Sequence, residues 1–174
     1  MGGRVPLEEL QLIREWYNYN FGVRRKYWET LCTLPDAELS KDRGASFPTL
    51  LDIYTHVLDA YRWWFVYVYN DKLADYHPLS GENLSLKQIQ DEEESVNNTV
   101  MNVLGSLNPQ RLGLEIVYSN PWVKREERIR LRHMLWHMVE EELQHRGELN
   151  ALLWQINVEP PIIGWDDWMS QHQP

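Results

Sequence analysis

One stretch decides the fold of this chain: LRHMLWHMVEEELQHRGELNALLWQI, residues 131–156. Its apolar residues recur every three or four positions, which indicates one long amphipathic helix. At about 100° per residue, Glu141 and His145 fall on the apolar side, whereas Glu140 and Gln144 fall where water can reach them. The apolar side is formed by Met134, Met138, Leu149, Leu152 and Ile156. The stretch therefore predicts a titratable pair in the interior of a helical protein.

A carboxylate and an imidazole on a buried face need polar partners, because burying an unpaired polar group is costly. Two interpretations are open at this point. Glu141 and His145 could form a buried hydrogen-bonded pair or a polar patch under a loop. Alternatively, they could be metal ligands, and at least one other helix would then have to supply a further ligand.

Residues 49–69, TLLDIYTHVLDAYRWWFVYVY, predict a second helix that carries His56 on its apolar face. A lone histidine there is most often a hydrogen-bonded core residue, but a second buried titratable group in the same chain favours a shared site. His56, Glu141 and His145 together would supply two nitrogen donors and one oxygen donor. Such a set leaves coordination positions open for water or a small-molecule substrate.

The residues around these positions resemble the DinB/YfiT-like proteins, and the resemblance spans nearly the whole chain. It is carried by an aromatic motif of the first helix, by the two segments around the histidines and by a proline pair in the tail. These motifs are Trp16-Tyr-Asn-Tyr-Asn, Gly44-Ala-Ser-Phe-Pro, Thr55-His-Val-Leu-Asp-Ala, Leu135-Trp-His-Met-Val-Glu-Glu-Glu-Leu-Gln-His-Arg-Gly-Glu-Leu and Pro160-Pro161.

This resemblance implies a four-helix bundle that holds one metal ion through a histidine of the second helix and two histidines one turn apart on the last helix. His56 and His145 match two of these positions, and the third is Glu141, where the family usually has histidine. A carboxylate can replace an imidazole as a ligand. The implied cofactor is a divalent metal ion, and zinc, nickel, iron and manganese all suit this ligand set.

Composition and charge narrow the class of protein. The 174 residues fit one domain, residues 1–174, and the net charge of −9 argues against nucleic acid as a partner. No run of about 18 apolar residues and no secretory leader is present, so we expect a cytoplasmic protein without a membrane partner. The single cysteine, Cys32, is expected to be a small buried residue rather than a nucleophile.

The remaining pattern predicts an all-α four-helix bundle with a long crossover connection. Helices are expected over about 6–33, 49–69 and 85–107, before the last helix that starts at Leu131. Ser85 and Gln88 have the spacing of a capping box. The acidic run Asp91–Glu94 is expected to be a solvated face, and the turn signals Pro78, Ser80 and Gly81 mark the crossover.

Two further segments follow the third helix and the last helix. Alternating residues at 112–118 and 127–131 predict a short β-hairpin before the last helix. The tail, residues 159–168, cannot continue the last helix through Pro160 and Pro161. Its Trp165 and Trp168 indicate that it packs back across the bundle.

Several residues near the predicted site have open roles. His137 lies at the margin of the apolar side, and it could be a proton donor beside the metal, a hydrogen-bonded boundary residue or a fourth ligand. Asp52 or Asp59 could hold the second ring nitrogen of a ligating histidine. The basic residues from Lys124 to Arg132 could bind an anionic substrate near the entrance or could balance the acidic helices.

The last helix also has a second apolar sector, roughly opposite the first. It consists of Trp136, Val139, Leu143, Gly147 and Trp154. A helix that is apolar on two sides is either deeply buried or in contact with another chain. We therefore expect a homodimer, which the resemblance also implies.

These observations support a divalent-metal-binding protein. The family that it resembles includes transferases that use low-molecular-weight thiols, so the resemblance implies a metal-dependent thiol S-transferase that acts on a small electrophile. A metal-dependent hydrolase and a non-enzymatic dimeric helical module with a degenerate metal site remain as alternatives. A di-iron carboxylate site is disfavoured, because no second Glu-x-x-His pair accompanies Glu142 and His145.

Overall fold

Four long helical segments form the bundle and confirm the predicted fold class. A computed structural model of the chain describes residues 5–79 and 84–172. The first long helix is α1, and the second begins as α3 and continues as a π-helical segment. Their bounds are α1 Val5–Leu31, α3 Leu50–Tyr61 with the π-helical segment Arg62–Val68, α4 Leu86–Ser106 and α5 Leu131–Gln155.

Shorter elements connect and flank these helices. They are α2 Asp36–Leu39, β1 Glu115–Asn120, β2 Arg125–Arg130, α6 Trp165–Gln171 and the 3₁₀ turns Leu73–Asp75 and Pro109–Gly113. The antiparallel register of the hairpin pairs Glu115 with Arg130 and Asn120 with Arg125. The predicted hairpin before the last helix is therefore confirmed. The crossover signals Ser80 and Gly81 lie outside the described residues.

The start of α4 follows from local hydrogen bonding. The Ser85 hydroxyl accepts a hydrogen bond from the Gln88 N–H, and the Gln88 side chain accepts one from the Ser85 N–H. This capping box satisfies two N–H groups that the helix cannot pair internally, as the spacing predicted. The prediction that the acidic run is a solvated face was wrong for Glu93, which is only 8% exposed.

The second long helix widens after Tyr61, which helical periodicity had not indicated. The N–H of Tyr69 donates to the carbonyl of Trp64 at 2.9 Å, five residues back instead of four. The Asn70 side chain then donates to the carbonyl of Phe65 at 2.8 Å and so satisfies an oxygen near the end of the segment. Such wide turns often occur at functional sites.

Aromatic side chains dominate the interior, and the tail adds to them. Trp165 stacks on Trp16 with ring centroids 4.2 Å apart. Trp168 covers Gly22 so closely that a Cβ atom at this glycine would overlap the indole ring. The predicted packing of the tail against the bundle is therefore observed, with the added short helix α6.

Two observations concern the outside of the protein. Cys32 is exposed, so the prediction that it is buried was wrong; it follows the last residue of α1 and belongs to the turn. None of the helices in residues 5–79 and 84–172 combines the length and apolar character needed to cross a membrane.

Candidate metal centre

Two helices that pack side by side position the three predicted ligands. His56 lies in α3, whose start is fixed because the Thr49 hydroxyl accepts a hydrogen bond from the Asp52 N–H at 3.0 Å. Glu141 and His145 lie one turn apart in α5, which packs against α3. Along the chain, His56 is 85 residues from Glu141, whereas Glu141 and His145 are only four residues apart. The structure brings all three residues together.

One carboxylate oxygen joins the two imidazoles. Glu141 Oε1 lies 2.9 Å from His56 Nε2 and 3.2 Å from His145 Nε2. One potential ligand atom from each of the three residues lies within 4.8 Å of the other two, so the group could hold a metal ion. The side chain of His145 is only 5% exposed, whereas that of His56 is 31% exposed. The group is therefore closed on the α5 side and open beside His56.

Phe47, in the connection before α3, restrains both rings. It stacks on His56 with centroids 3.9 Å apart and planes at 22°, and it meets His145 edge-on at 5.4 Å. The two imidazoles are themselves nearly perpendicular, with centroids 4.7 Å apart and planes at 78°. Their Nε2 atoms therefore converge on one point from different directions.

Glu148, which the sequence analysis did not single out, orients His145. Glu148 Oε2 lies 3.0 Å from His145 Nδ1 and accepts a hydrogen bond from the Ser46 hydroxyl at 2.7 Å. A carboxylate on Nδ1 directs the lone pair of Nε2 outward, which is the usual arrangement around a histidine ligand. The signal was present in the sequence as the three-residue spacing between His145 and Glu148, which places both on one helix face.

The prediction that Asp52 or Asp59 holds a ligating histidine was wrong. Asp52 accepts a hydrogen bond from the Thr49 hydroxyl at 2.7 Å. Asp59 accepts hydrogen bonds from Arg62 at 3.0 Å and from the Tyr76 hydroxyl at 2.7 Å. Both carboxylates have closer partners on or near their own helix, which sequence angle alone does not reveal.

The hydrogen bonds of the group change its proton affinities. Hydrogen bonds from His145 and His56 hold the pKa of Glu141 far below its usual range. Burial opposes a charge on His145, but its hydrogen bonds to Glu141 and Glu148 outweigh burial and raise its pKa. Partial burial likewise opposes a charge on Glu148, yet hydrogen bonds from Ser46 and His145 lower its pKa. Glu141 is consequently ionised at neutral pH and attracts a cation.

The spacing of the donor atoms fits a small divalent ion. Ligand bonds of about 2.0–2.1 Å at a tetrahedral ion place neighbouring ligand atoms about 3.3 Å apart. The two distances to Glu141 Oε1, 2.9 Å and 3.2 Å, are close to this separation. Two imidazole nitrogens and one carboxylate oxygen are donors that zinc, iron, nickel and manganese accept.

His137 lies outside the group of three. Its ring meets Trp64 edge-on with centroids 5.8 Å apart, and its side chain is 41% exposed, with Nδ1 3.8 Å from a Glu140 oxygen. The position matches the predicted boundary residue. Because His137 lines the same pocket as His56 and Glu141, its role as a proton donor stays a prediction.

A pocket of about 440 Å³ adjoins the group on its open side. His56 and Glu141 form one end of it. Its other described walls come from α3, the π-helical segment, the following connection, the hairpin and α5: Asp59, Ala60, Trp63, Trp64, Tyr76, Pro78, Tyr118, Asn120, Pro121, Trp122 and His137. Its size suits a small organic ligand.

Three of the five basic residues near the hairpin are paired with acidic ones, which favours the second predicted role for these three. Arg125 contacts Glu127 at 2.8 Å, and Arg132 contacts Glu9 at 2.9 Å. Arg128 contacts both Glu115 and Glu126, at 3.1 Å and 2.9 Å. These arginines therefore balance acidic neighbours rather than line the pocket.

A separate buried network of charges lies behind the candidate centre. Arg24 donates to Glu93 at 2.9 Å and to Glu142 at 3.0 Å, and Tyr54 and Tyr61 each donate to one of these carboxylates. Burial opposes the charge of Arg24, but the two carboxylates outweigh burial and raise its pKa. The sequence analysis missed this network because its members lie on four different helices.

Comparison with known proteins agrees with this architecture. No curated protein matches the chain. The DinB family, however, matches residues 7–173, which include almost all of α1, the other three long helices, the hairpin and the three residues of the candidate centre. On this match, the chain belongs to the DinB family.

Proposed function

We propose that this protein binds one divalent metal ion through His56, Glu141 and His145 and uses it to transfer a small thiol to an electrophilic substrate. The observation that carries the proposal is the convergence of three donor atoms within 4.8 Å beside a pocket of about 440 Å³. The thiol is proposed from the resemblance to thiol-using transferases, and it is the finer part of the proposal.

The chain's own residues would divide the work. His56, Glu141 and His145 hold the ion, and Glu148 keeps the His145 ring in the orientation that presents Nε2. A bound divalent ion supplies a Lewis acid that makes a thiol or water more acidic. His137 lies on the pocket wall, where it can accept or return a proton. The aromatic walls exclude water from the ligand.

Metal analysis of protein purified without added metal tests the first part. We expect about one ion per chain in the wild type and a clear loss in His56→Ala and His145→Ala. His133→Ala is the matched control, because His133 is exposed on the same helix as His145. Full occupancy in both ligand variants would contradict the proposed site.

Assays of the metal-loaded protein test the second part. Small thiols are offered together with an electrophile, and hydrolysis of activated esters and amides is measured in parallel. Thiol consumption that depends on the metal supports transfer. Metal-dependent hydrolysis without thiol consumption would favour the alternative of a hydrolase.

A second candidate function is a non-enzymatic helical module. The observation that favours it is that Glu141 already accepts contacts from both imidazoles, so the cluster is satisfied as a purely structural polar group. In that case, the His56→Ala variant would lose folding stability, and neither it nor the wild type would contain stoichiometric metal.

A further inference from the structure

The pocket beside the candidate centre has an aromatic interior. Trp63 and Trp64 follow each other in the π-helical segment, and both line the pocket. In a π-helix the turn is wider, so consecutive side chains diverge less than in an α-helix. The two indoles are only 5% and 8% exposed, which makes this wall firmly packed.

The outer wall comes from the hairpin. Trp122 lies in the turn between β1 and β2, where its backbone N–H donates a hydrogen bond to the side-chain oxygen of Asn120 at 3.0 Å. Its ring lies 4.4 Å from that of Trp63 and 6.4 Å from that of Tyr76, yet the residue is 66% exposed. Trp122 therefore flanks the pocket and leaves much of its ring free for a ligand.

Several polar groups of these walls are already engaged. Asp59 is paired with Arg62 and accepts the hydroxyl of Tyr76. The Tyr118 hydroxyl donates to Glu127 at 3.1 Å. The pocket walls thus offer aromatic faces more than free hydrogen-bonding groups.

The charged residues that line the pocket also disfavour anionic ligands. The described residues that line it include the carboxylates of Asp59 and Glu141 but neither lysine nor arginine. An anionic ligand body would therefore lose its hydration without gaining a cationic side chain in the described walls. An uncharged aromatic body loses little hydration and gains ring contacts.

We infer that the pocket takes a ligand with an uncharged aromatic body, which packs among Trp63, Trp64 and Trp122 while a donor group at its other end reaches His56 and Glu141. The placement of the donor group rests on the proposed function; the choice of body rests only on the walls. Ligands with carboxylates on the body are disfavoured by the same argument.

Three hydroxamic acids test the inference on protein loaded with one equivalent of Zn²⁺, by calorimetric titration. Acetohydroxamic acid reports the metal alone, benzohydroxamic acid adds the aromatic body, and 4-carboxybenzohydroxamic acid adds a charge to it. We expect benzohydroxamic acid to bind at least about tenfold more tightly than acetohydroxamic acid, from the apolar area of one ring. The carboxylate should remove most of that advantage.

The variant Trp122→Ala tests whether the affinity gained from the aromatic ring comes from this wall. Trp122 is exposed, so its side chain can be truncated without leaving a cavity in the core. The variant should lose several-fold of the benzohydroxamic acid affinity and keep that of acetohydroxamic acid. Trp154→Ala is the control, since Trp154 is 53% exposed on α5 and does not line the pocket. Equal affinities of the wild type for benzohydroxamic and acetohydroxamic acid would overturn the inference and leave metal binding intact.

A metal-free arm separates this inference from the proposed function. The indole N–H resonances of Trp63, Trp64 and Trp122 are followed by NMR while benzamide, acetamide or benzoate is added to the metal-free protein. Saturable shifts with benzamide, and much smaller ones with acetamide and benzoate, support the inference even if no metal binds. Absence of shifts with benzamide overturns it. Failure of Zn²⁺ to bind would contradict only the proposed function.

Discussion

Two neighbouring glutamates of α5 lie in opposite electrostatic surroundings. Glu142 belongs to a network of two arginines and two carboxylates: Arg24, Arg146, Glu93 and Glu142, each no more than 9% exposed. Glu141 belongs to a group with two imidazoles, open to a pocket through the half-exposed His56. The first cluster balances its own charge, whereas the second joins one carboxylate to two imidazoles at the wall of a pocket and could hold a metal ion.

The difference follows from the helix period. A step of one residue turns a side chain by about 100°, so Glu141 and Glu142 point to different neighbours. Glu142 meets α1 through Arg24, and Glu141 meets α3 through His56. A small cavity of about 20 Å³, large enough for one water molecule, adjoins Glu142 and Arg146. Breaking the closed cluster would leave buried charges without partners, whereas the open cluster is available for chemistry.

Removal of the cation from the closed cluster should have the largest effect. In Arg24→Met, Glu93 and Glu142 remain buried without their partner, and we expect the free energy of unfolding to fall by about 3–5 kcal/mol. Urea unfolding followed by circular dichroism measures this. The control is Arg25→Met, because the Arg25 side chain is 80% exposed and its pair with Glu29 contributes little. Equal losses in the two variants would remove the distinction between closed and open clusters.

Metal binding should stabilise the protein through the open cluster. At a free Zn²⁺ concentration of about 100 times the Kd, the free energy of unfolding should rise by about 2.7 kcal/mol, and a chelator should reverse the rise. In Glu141→Ala the rise should be largely lost, whereas Glu140→Ala should keep it, because Glu140 is 76% exposed in the same turn. Thermal unfolding with and without Zn²⁺ distinguishes the two. A similar rise in both variants would place the ion elsewhere.

Glu148 should matter less than the ligands themselves. Glu148→Gln keeps a hydrogen-bond acceptor for His145 but removes the charge, and we expect the affinity for Zn²⁺ to fall about tenfold. Competition with a chelator of known affinity measures the change. Glu140→Gln serves as the control. If both variants bound Zn²⁺ like the wild type, the charge of Glu148 would have no part in metal affinity.

The smallest effect on stability is expected on the far side of α5. Leu143 and Trp154 of the second apolar sector are 39% and 53% exposed, whereas Val139 is buried, so the predicted homodimer would use the later half of the sector. Trp154→Ser should change the free energy of unfolding of one chain by no more than about 0.5 kcal/mol. It should nevertheless weaken a dimer seen by light scattering. A wild-type monomer at high micromolar concentration would contradict the homodimer prediction.

The sequence predicted those residues that stand out on their own helix, and it missed contacts that arise only when the helices pack together. The spacing of Glu141 and His145 and the apolar side around His56 were enough to predict the group of three. The hairpin was predicted from alternation, because a strand has a period of two. Arg24 and Glu142 lie 118 residues apart, and nothing local indicates that they meet.

The π-helical segment is the clearest feature that periodicity could not reveal. Its sequence, RWWFVYV, is apolar almost throughout. Hydrogen bonds that span five residues instead of four therefore cause no visible change in the spacing of apolar and polar residues. The segment nevertheless places Trp63 and Trp64 along the pocket. Burial of Glu93 was missed because Glu93 belongs to an acidic run whose members Asp91 and Glu94 are exposed, so the sequence does not distinguish it from them.

The neighbouring placement of Glu141 and Glu142 has a consequence for redesign. Because Arg24 and Tyr61 donate hydrogen bonds to Glu142, α5 cannot rotate about its axis without breaking contacts in the core. A replacement such as Glu141→His can therefore change one donor of the group that could hold a metal ion, while the backbone keeps its register. If the ion binds as proposed, its preference can be engineered one coordinating atom at a time.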